Sequence, residues 1–154
     1  MGEEVMKLYD KALVTVDQMG NDLTRDRIRQ FCSLNCKEVF ICYIAPEHII
    51  AGEVGHSLAL GEHGGDAEVT QQHVDAVQEY VDLLAGEGMA VHGRIVTAAE
   101  YNRGDVIVDL AQQLDVDLTI LNFEVGGARA KAKVTQQIVA RNPRMAVLVA
   151  RPTT

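Results

Sequence analysis

The chain has 154 residues, of which 47% are apolar and 23% are charged, and its net charge is −8. This composition is that of a soluble globular protein, and it excludes a disordered chain, a collagen-like repeat and a disulfide-stapled miniprotein. The chain contains no apolar run of the roughly 18 to 20 residues that cross a bilayer. An acidic surface also repels phosphate backbones, which argues against non-specific nucleic-acid binding. We therefore expect one cytoplasmic domain spanning residues 1–154.

Apolar runs and helical periodicity alternate along the chain. The runs predict five strands, at residues 11–17, 38–44, 89–96, 117–121 and 145–150. Apolar residues at helical spacing predict four helices between them, at residues 22–36, 67–85, 104–114 and 131–141. Residues 47–66 contain five glycines and no strong period, and they predict a long loop.

Certain apolar residues of the predicted helices are expected to face the core. They are Leu23, Ile28, Phe31 and Leu34 in the first helix, Val74, Val77, Val81 and Leu84 in the second, Ile107, Leu110, Ala111 and Leu114 in the third, and Val134, Ile138 and Ala132 or Val139 in the last.

This β-α-β alternation predicts an α/β fold. Strands and helices of these lengths form parallel strands joined by right-handed crossovers, with helices on both faces of the sheet. The nearly continuous apolar strands agree with a sheet that is buried on both sides. We expect a five-stranded, doubly wound, Rossmann-like sheet. In such a sheet a ligand binds beyond the carboxyl ends of the strands where the strand order reverses, so Asp17 and Asn122, which follow or end predicted strands, become candidates.

The three cysteines, Cys32, Cys36 and Cys42, are an odd number without CxxC spacing. We expect reduced thiols, with Cys42 inside a core strand. Cys32 and Cys36 have the spacing of neighbours on one helical turn, which leaves a redox pair as the alternative.

Several segments resemble the universal stress protein family. They are the first strand with its terminal aspartate, Leu13–Asp17; the pair Gly104-Asp105, which opens the third helix; the stretch Leu114–Leu121; and the closing strand with its Arg-Pro ending, Ala146–Pro152. Together they cover nearly the whole chain in the family's order and spacing. The resemblance implies the adenine-nucleotide α-hydrolase-like form of the fold. It also implies a homodimer formed by pairing of the fifth strand, Met145 to Ala150, with its symmetry mate.

Nucleotide-binding members of that family carry a glycine pattern after the fourth strand. The pattern is Gly, two residues, Gly, nine residues, Gly, and then Ser or Thr, and its glycines let backbone N–H groups approach phosphate oxygens. Aligned without gaps, this chain has Asn122 and Val125 at the first two glycine positions, Thr135 at the third and Gln136 at the Ser/Thr position. The chain therefore departs from the pattern, and the resemblance implies an altered nucleotide site.

A different set of residues offers a substitute phosphate cradle. Gly126 and Gly127 supply flexible backbone close to the second glycine position, and Arg129, Lys131 and Lys133 bring cations to the start of a helix. The alternative is that the two glycines only end the loop and that the cations form a solvated helix face.

The resemblance assigns Asp17 to the adenine side of a bound nucleotide, and Ile44 would lie against the base. The alternative for Asp17 is a carboxylate that accepts backbone N–H bonds at the start of the first helix. His56, His63 and His73 have spacings that match no compact metal-ligand pattern, so we expect solvated loop histidines and no metal site.

Catalytic motifs are missing from the sequence. We find no G-x-S-x-G elbow, no phosphate-loop lysine and no nucleophile beside a base. We expect a homodimeric regulatory binding module of the universal-stress-protein type with a degenerate or rebuilt nucleotide site, and not an enzyme. The alternative is a protein that binds ATP, AMP or a cyclic nucleotide through Gly126, Gly127 and Arg129. Slow ATP hydrolysis and flavodoxin-like electron transfer are further candidates, and an unidentified protein partner is compatible with all of them.

Overall fold

Strands and helices alternate along the part of the chain that the computed structural model describes, namely residues 6–16, 22–46, 64–98, 103–122, 128–142 and 144–150. At residues 22–23, 45–46, 64–73 and 128–131 this description covers the backbone only. The strands are β1 (Tyr9–Val16), β2 (Cys36–Pro46), β3 (Ala90–Ala98), β4 (Leu118–Asn122) and β5 (Ala146–Ala150). The helices are α1 (Asp22–Asn35), α2 (Gly64–Ala85), α3 (Arg103–Leu114) and α4 (Ala128–Arg141).

The strands form one parallel sheet in the order β3-β2-β1-β4-β5. From β1 the chain adds β2 and β3 on one side and then crosses over to add β4 and β5 on the other. The register places Val16, at the end of β1, opposite Tyr43 of β2 and opposite Asn122 of β4. This arrangement confirms the predicted doubly wound sheet.

Helices cover both faces of the sheet. On one face, Ile28 of α1 and Val77 and Leu84 of α2 pack against apolar side chains of β1, β2 and β4. On the other face, residues of α3 and α4, such as Ile107 and Ile138, pack against the alternate side chains of the same strands. Burying each such side chain contributes about 1.5–3 kcal/mol, so the two apolar layers hold the sheet between them. Among the described residues, no helix is long and apolar enough to cross a membrane.

Asp117 joins the amino ends of three strands. Its carboxylate accepts hydrogen bonds from the backbone N–H groups of Asp10 and Lys11, both at 3.1 Å. Its own N–H donates to the carbonyl of Lys11, and its carbonyl accepts from the N–H of Ala146. This residue was predicted as the first of the fourth strand, but the strand begins one residue later and Asp117 connects β1, β4 and β5.

Several predicted boundaries differ from those of the structure. The loop predicted over residues 47–66 ends earlier, because α2 begins at Gly64, and residues 47–63 lie outside the description. The second strand runs past Ile44 to Pro46. Pro46 pairs with Ala98 of β3 and lies beyond the pairing of β2 with β1, which ends at Tyr43.

Some residues predicted to face the core are exposed. Leu34 is 66% exposed and Val74 is 42% exposed. The buried residues of their helices include Cys32 and Tyr80 instead, which belong to the same apolar cluster. In α4, Val134 and Ile138 are buried as predicted, whereas Ala132 and Val139 are exposed. Counting apolar residues missed Cys32 and Tyr80 because each carries a polar group on a side chain that packs as an apolar one.

The contact between β3 and α2 generates a stability prediction at Gly93. A Cβ atom at this residue would lie 2.6 Å from Cγ1 of Val77 and 3.1 Å from Cγ2 of Val81. Gly93→Ala should lower the free energy of unfolding by about 1–3 kcal/mol, because the helix would have to shift away from the sheet. Urea denaturation measures the change.

Gly86→Ala is the matched control for this substitution. The atom closest to a Cβ at Gly86 is 3.7 Å away, which is an ordinary contact. The control should change stability by no more than about 0.5 kcal/mol. Equal stability of the Gly93→Ala variant and the wild-type protein would contradict the close approach of α2.

Candidate functional site

The carboxyl ends of β1 and β4 meet where the strand order reverses. β2 and β3 lie on one side of β1, and β4 and β5 lie on the other. The helices that follow the two strands begin close by in sequence, α1 at Asp22 and α4 at Ala128. Because successive crossovers leave toward opposite faces at this point, a crevice forms beyond the strand ends. Helix amino termini beside it contribute partial positive charge.

Asn122 is a buried polar residue at this edge of the sheet. It is the last residue of β4 and only 1% exposed. Among the described residues, neither the oxygen nor the nitrogen of its side-chain amide has a hydrogen-bond partner. An amide buried without partners costs about 1–3 kcal/mol relative to an apolar side chain. The amide of Asn122 therefore lowers the stability of the fold at the position where this fold class binds ligands.

The side chain of Asn122 lies on the face of the sheet that α1 and α2 cover. Side chains alternate between faces along a strand, and Ile120 packs in the cluster with α1 and α2 whereas Leu121 packs in the cluster with α3 and α4. Asn122 follows the orientation of Ile120. Its neighbour across the ladder is Val16, which belongs to the same cluster. The amide therefore lies at the end of an otherwise apolar layer.

The other buried polar side chains of these strands have partners. The hydroxyl of Thr15 donates to the carbonyl of Ile120 at 3.4 Å. The hydroxyl of Thr119 donates to the sulfur of Met145 at 2.9 Å. Buried polar groups in proteins are nearly always paired, and among the described residues of β1 and β4 only the amide of Asn122, at the end of β4, departs from this rule. No described residue of the chain supplies a partner for this amide.

The predicted site residues fall into two groups. Asp17, Gly126 and Gly127 lie outside the described residues. For Arg129, in the first turn of α4, the description covers the backbone alone. These four assignments therefore remain predictions, and only the positions of the adjoining strand and helix ends are known.

The remaining predicted residues occupy different environments. Ile44 is 1% exposed and packs in the layer formed with α3 and α4, so its side chain belongs to the core. Thr135 lies in the second turn of α4 and is half-buried. The strand ends bring Asn122 and Ile44 to the same edge of the sheet but on opposite faces. The sequence singled out Asn122 because it lies at the end of the fourth strand and at a glycine position of the family pattern, and it gave no signal that the amide is unpaired.

Metal ligands do not cluster among the described residues, where no three His, Cys, Asp or Glu side chains are grouped as an ion would require. His56 and His63 lie outside the description, as does the side chain of His73. The described His92 forms a 2.7 Å contact with Glu38 and stacks on Phe40. His92 thus interacts within β2 and β3, away from the carboxyl ends of β1 and β4.

Comparison with known proteins identifies the fold. No protein-family model matches the sequence, and no curated protein matches it. Among solved structures, the chain is similar to the universal stress protein UspA from Lactobacillus plantarum, with a TM-score of 0.68 and 17% identity over 95% of this chain and 100% of that one.

Two further solved structures lead to the same result. A universal stress protein family member from Burkholderia pseudomallei has a TM-score of 0.62 and 15% identity over 94% of this chain and 97% of that one. A universal stress protein in complex with cAMP has a TM-score of 0.55 and 18% identity over 96% of this chain and 100% of that one. The chain thus has the fold of the universal stress proteins, as the sequence predicted.

The unpaired amide generates a prediction for the protein without ligand. Leucine has nearly the shape of asparagine and needs no hydrogen bonds. Asn122→Leu should therefore raise the free energy of unfolding by about 1–3 kcal/mol, since it removes the cost of the buried amide. Urea denaturation of protein refolded without small molecules measures the change.

Thr15→Val serves as the control because it removes a buried hydroxyl that does have a partner. Losing that bond should lower stability by about 0.5–1.5 kcal/mol. The opposite signs of the two effects separate an unsatisfied polar group from a satisfied one. A loss of stability in Asn122→Leu as large as that in Thr15→Val would show that the amide is paired in solution.

Proposed function

We propose that this protein is a regulatory binding module of the universal-stress-protein type, with an altered nucleotide site at the carboxyl ends of β1 and β4. The observation that carries this proposal is the buried, unpartnered amide of Asn122. Residues that lower the stability of a folded protein are commonly found at its functional sites. A bound ligand would satisfy the amide and recover that cost.

The chemistry of the amide limits what the ligand offers. The nitrogen of Asn122 donates hydrogen bonds and the oxygen accepts them. A complementary ligand therefore presents an acceptor and a donor close together. A nucleotide does so, through its phosphate oxygens and sugar hydroxyls or through the edge of its base. An apolar ligand would leave the amide as unsatisfied as it is in the free protein.

The second candidate function is adenine-nucleotide binding, in which the bound nucleotide itself is the regulatory signal. In this version Gly126, Gly127 and Arg129 form the phosphate cradle, and Asp17 contacts the adenine side. Two observations favour it: α4 begins at Ala128, directly after the two glycines, and one universal stress protein of this fold is in complex with cAMP. A helix amino terminus preceded by glycines suits an anion.

The proposal assigns no catalytic step to this chain. The fold is shared with proteins named for their response to stress, and the sequence carries no catalytic motif. The cytoplasmic location expected from the sequence is part of the same proposal. The output of such a module is a change in ligand occupancy that an unidentified protein partner would detect.

A ligand panel tests the binding proposal. ATP, AMP and cAMP are added separately to the purified protein, and thermal unfolding is followed. Saturation at 100 times Kd stabilises the fold by about 2.7 kcal/mol, which for a domain of this size raises Tm by about 5–10 °C. At least one nucleotide should produce the shift, and Asn122→Leu should abolish it.

Two further variants distinguish the candidate sites. Arg129→Ala should weaken nucleotide binding by about 1.5–3 kcal/mol, the range for a hydrogen bond to a charged group, if the second candidate is correct. Arg144→Ala, an exposed charge that precedes β5 at the other end of the sheet, is the control and should bind as the wild type does. Unchanged binding by Arg129→Ala contradicts the cradle, and no shift with any nucleotide contradicts both candidates.

We also propose that the module is a homodimer joined through β5. This strand is an edge of the sheet, and Leu148 and Val149 are 38% and 42% exposed on it. The strand, Ala146–Ala150, contains no lysine or proline, which edge strands commonly use to discourage pairing. Antiparallel pairing with a second copy would satisfy the outer N–H and C=O groups and cover both side chains.

Charged substitutions on β5 test the dimer. Leu148→Asp or Val149→Lys should convert a dimer into a folded monomer, because pairing would bury the new charge. Val139→Asp, on the exposed side of α4, should leave the dimer intact. Sedimentation velocity at micromolar concentration measures the mass. A wild-type protein that sediments as a monomer would rule out the pairing.

A further inference from the structure

One row of side chains crosses the sheet near its carboxyl edge and contains the amide of Asn122. The strand register places Asn122 beside Ala150 of β5 and, on its other side, beside Val16 of β1. The row continues from β1 through Tyr43 of β2 to Ile95 of β3. These four neighbours belong to, or pack against, the apolar cluster that α1 and α2 cover. The row thus combines one amide with aliphatic and aromatic side chains, and none of its five residues is charged.

This lack of charge limits which part of a nucleotide the amide contacts. Asn122 is 1% exposed, and the adjacent Val16 is 3% exposed. An anion that leaves water for such surroundings loses more hydration free energy than one neutral amide returns, so buried charges in proteins are paired with opposite charges. A phosphate is therefore a poor partner for Asn122. An uncharged part of the ligand suits this amide better.

The base of a nucleotide has both properties that the row requires. The faces of its rings are apolar and stack on apolar and aromatic side chains. Its edge carries hydrogen-bond donors and acceptors. A ribose is also uncharged, but its hydroxyl groups surround the ring and leave no comparable apolar face. The row beside Asn122 therefore favours the base over the sugar.

The edge of adenine complements the amide atom by atom. The amino group of adenine is a donor that lies beside the ring acceptors N1 and N7, and asparagine pairs with adenine in this bidentate way in protein–DNA complexes. The oxygen of Asn122 would accept from the amino group, and the nitrogen would donate to the ring. Both of these side-chain atoms lack a partner among the described residues, and one base would supply a partner to each.

We propose that Asn122 binds the base of the nucleotide, with adenine as the preferred base, and that the phosphate lies outside the apolar row. This assignment rests on the proposed function, because it takes a nucleotide to be the ligand. The resemblance to nucleotide-binding universal stress proteins places a phosphate-binding glycine at position 122. Asparagine at this position replaces a backbone contact to phosphate with a side-chain contact to the base.

Calorimetric titration of the wild-type protein with two nucleosides tests the contact from the ligand side. Adenosine, which has no phosphate, should bind. Purine riboside has a hydrogen atom in place of the amino group of adenine, so that the amide oxygen is again left without a partner. It should bind about 5- to 150-fold more weakly than adenosine. Equal affinities for the two nucleosides would overturn the assignment of the base to Asn122.

Two variants test the contact from the protein side. Asn122→Leu should lower the affinities for adenosine and for AMP by the same factor, at least about fivefold, because the two ligands share the base. The variant should also bind adenosine and purine riboside equally. Thr15→Val is the matched control. Its side chain lies on the opposite face of the sheet from that of Val16, and it should bind every ligand as the wild type does.

The results distinguish failure of this assignment from failure of the proposed function. If Asn122→Leu weakens the binding of AMP but not that of adenosine, the amide contacts the phosphate. The assignment to the base is then overturned, whereas the proposed nucleotide site stands. If adenosine, AMP, ATP and cAMP all fail to bind the wild-type protein, the proposed function is overturned and the base assignment with it. Circular dichroism confirms that each variant is folded.

Discussion

The reversal of strand order around β1 is the constraint on which the rest of the structure depends. With β2 and β3 on one side and β4 and β5 on the other, the helices divide between the two faces, and each face acquires its own apolar layer. A sheet buried on both sides leaves only its ends for polar chemistry. The register that places Val16 opposite Asn122 fixes which two strand ends meet, and with them the position of the proposed site.

The side chains of Thr15, Asp117 and Thr119 are hydrogen-bonded within the sheet, whereas no described residue pairs with that of Asn122. Thr15 and Thr119 are buried and paired, and the carboxylate of Asp117 accepts two backbone N–H groups at the amino end. At the carboxyl end, Asn122 is equally buried and has no partner among the described residues. A stable fold without a ligand would favour an apolar residue there. The asymmetry between the two ends is why the proposed function centres on the carboxyl end.

The sequence predicted the sheet and the alternation of its strands and helices well, because five apolar runs separated by helical periods admit few arrangements. It predicted less well which helix residues are buried, because packing contacts decide this as well as the apolar periodicity. Leu34 and Val74 continue an apolar stripe but are exposed, and Cys32 and Tyr80 are buried in their helices instead. The sequence could not predict that the amide of Asn122 is unpaired. Hydrogen-bond partners at a strand end are supplied by neighbouring strands, which are distant in the sequence. Asp17, Gly126 and Gly127 rest on the sequence alone, because they lie outside the described residues.

The central claim is that a ligand pairs with the amide of Asn122, and the NMR signals of that side-chain NH2 group report on it directly. Asn122→Leu identifies the signals by removing them from the spectrum. On titration with the nucleotide that stabilises the protein, we predict that these two signals shift with the same saturation curve as the binding itself. Saturation that leaves them unmoved, with the shifts confined to another part of the sheet, would contradict the account.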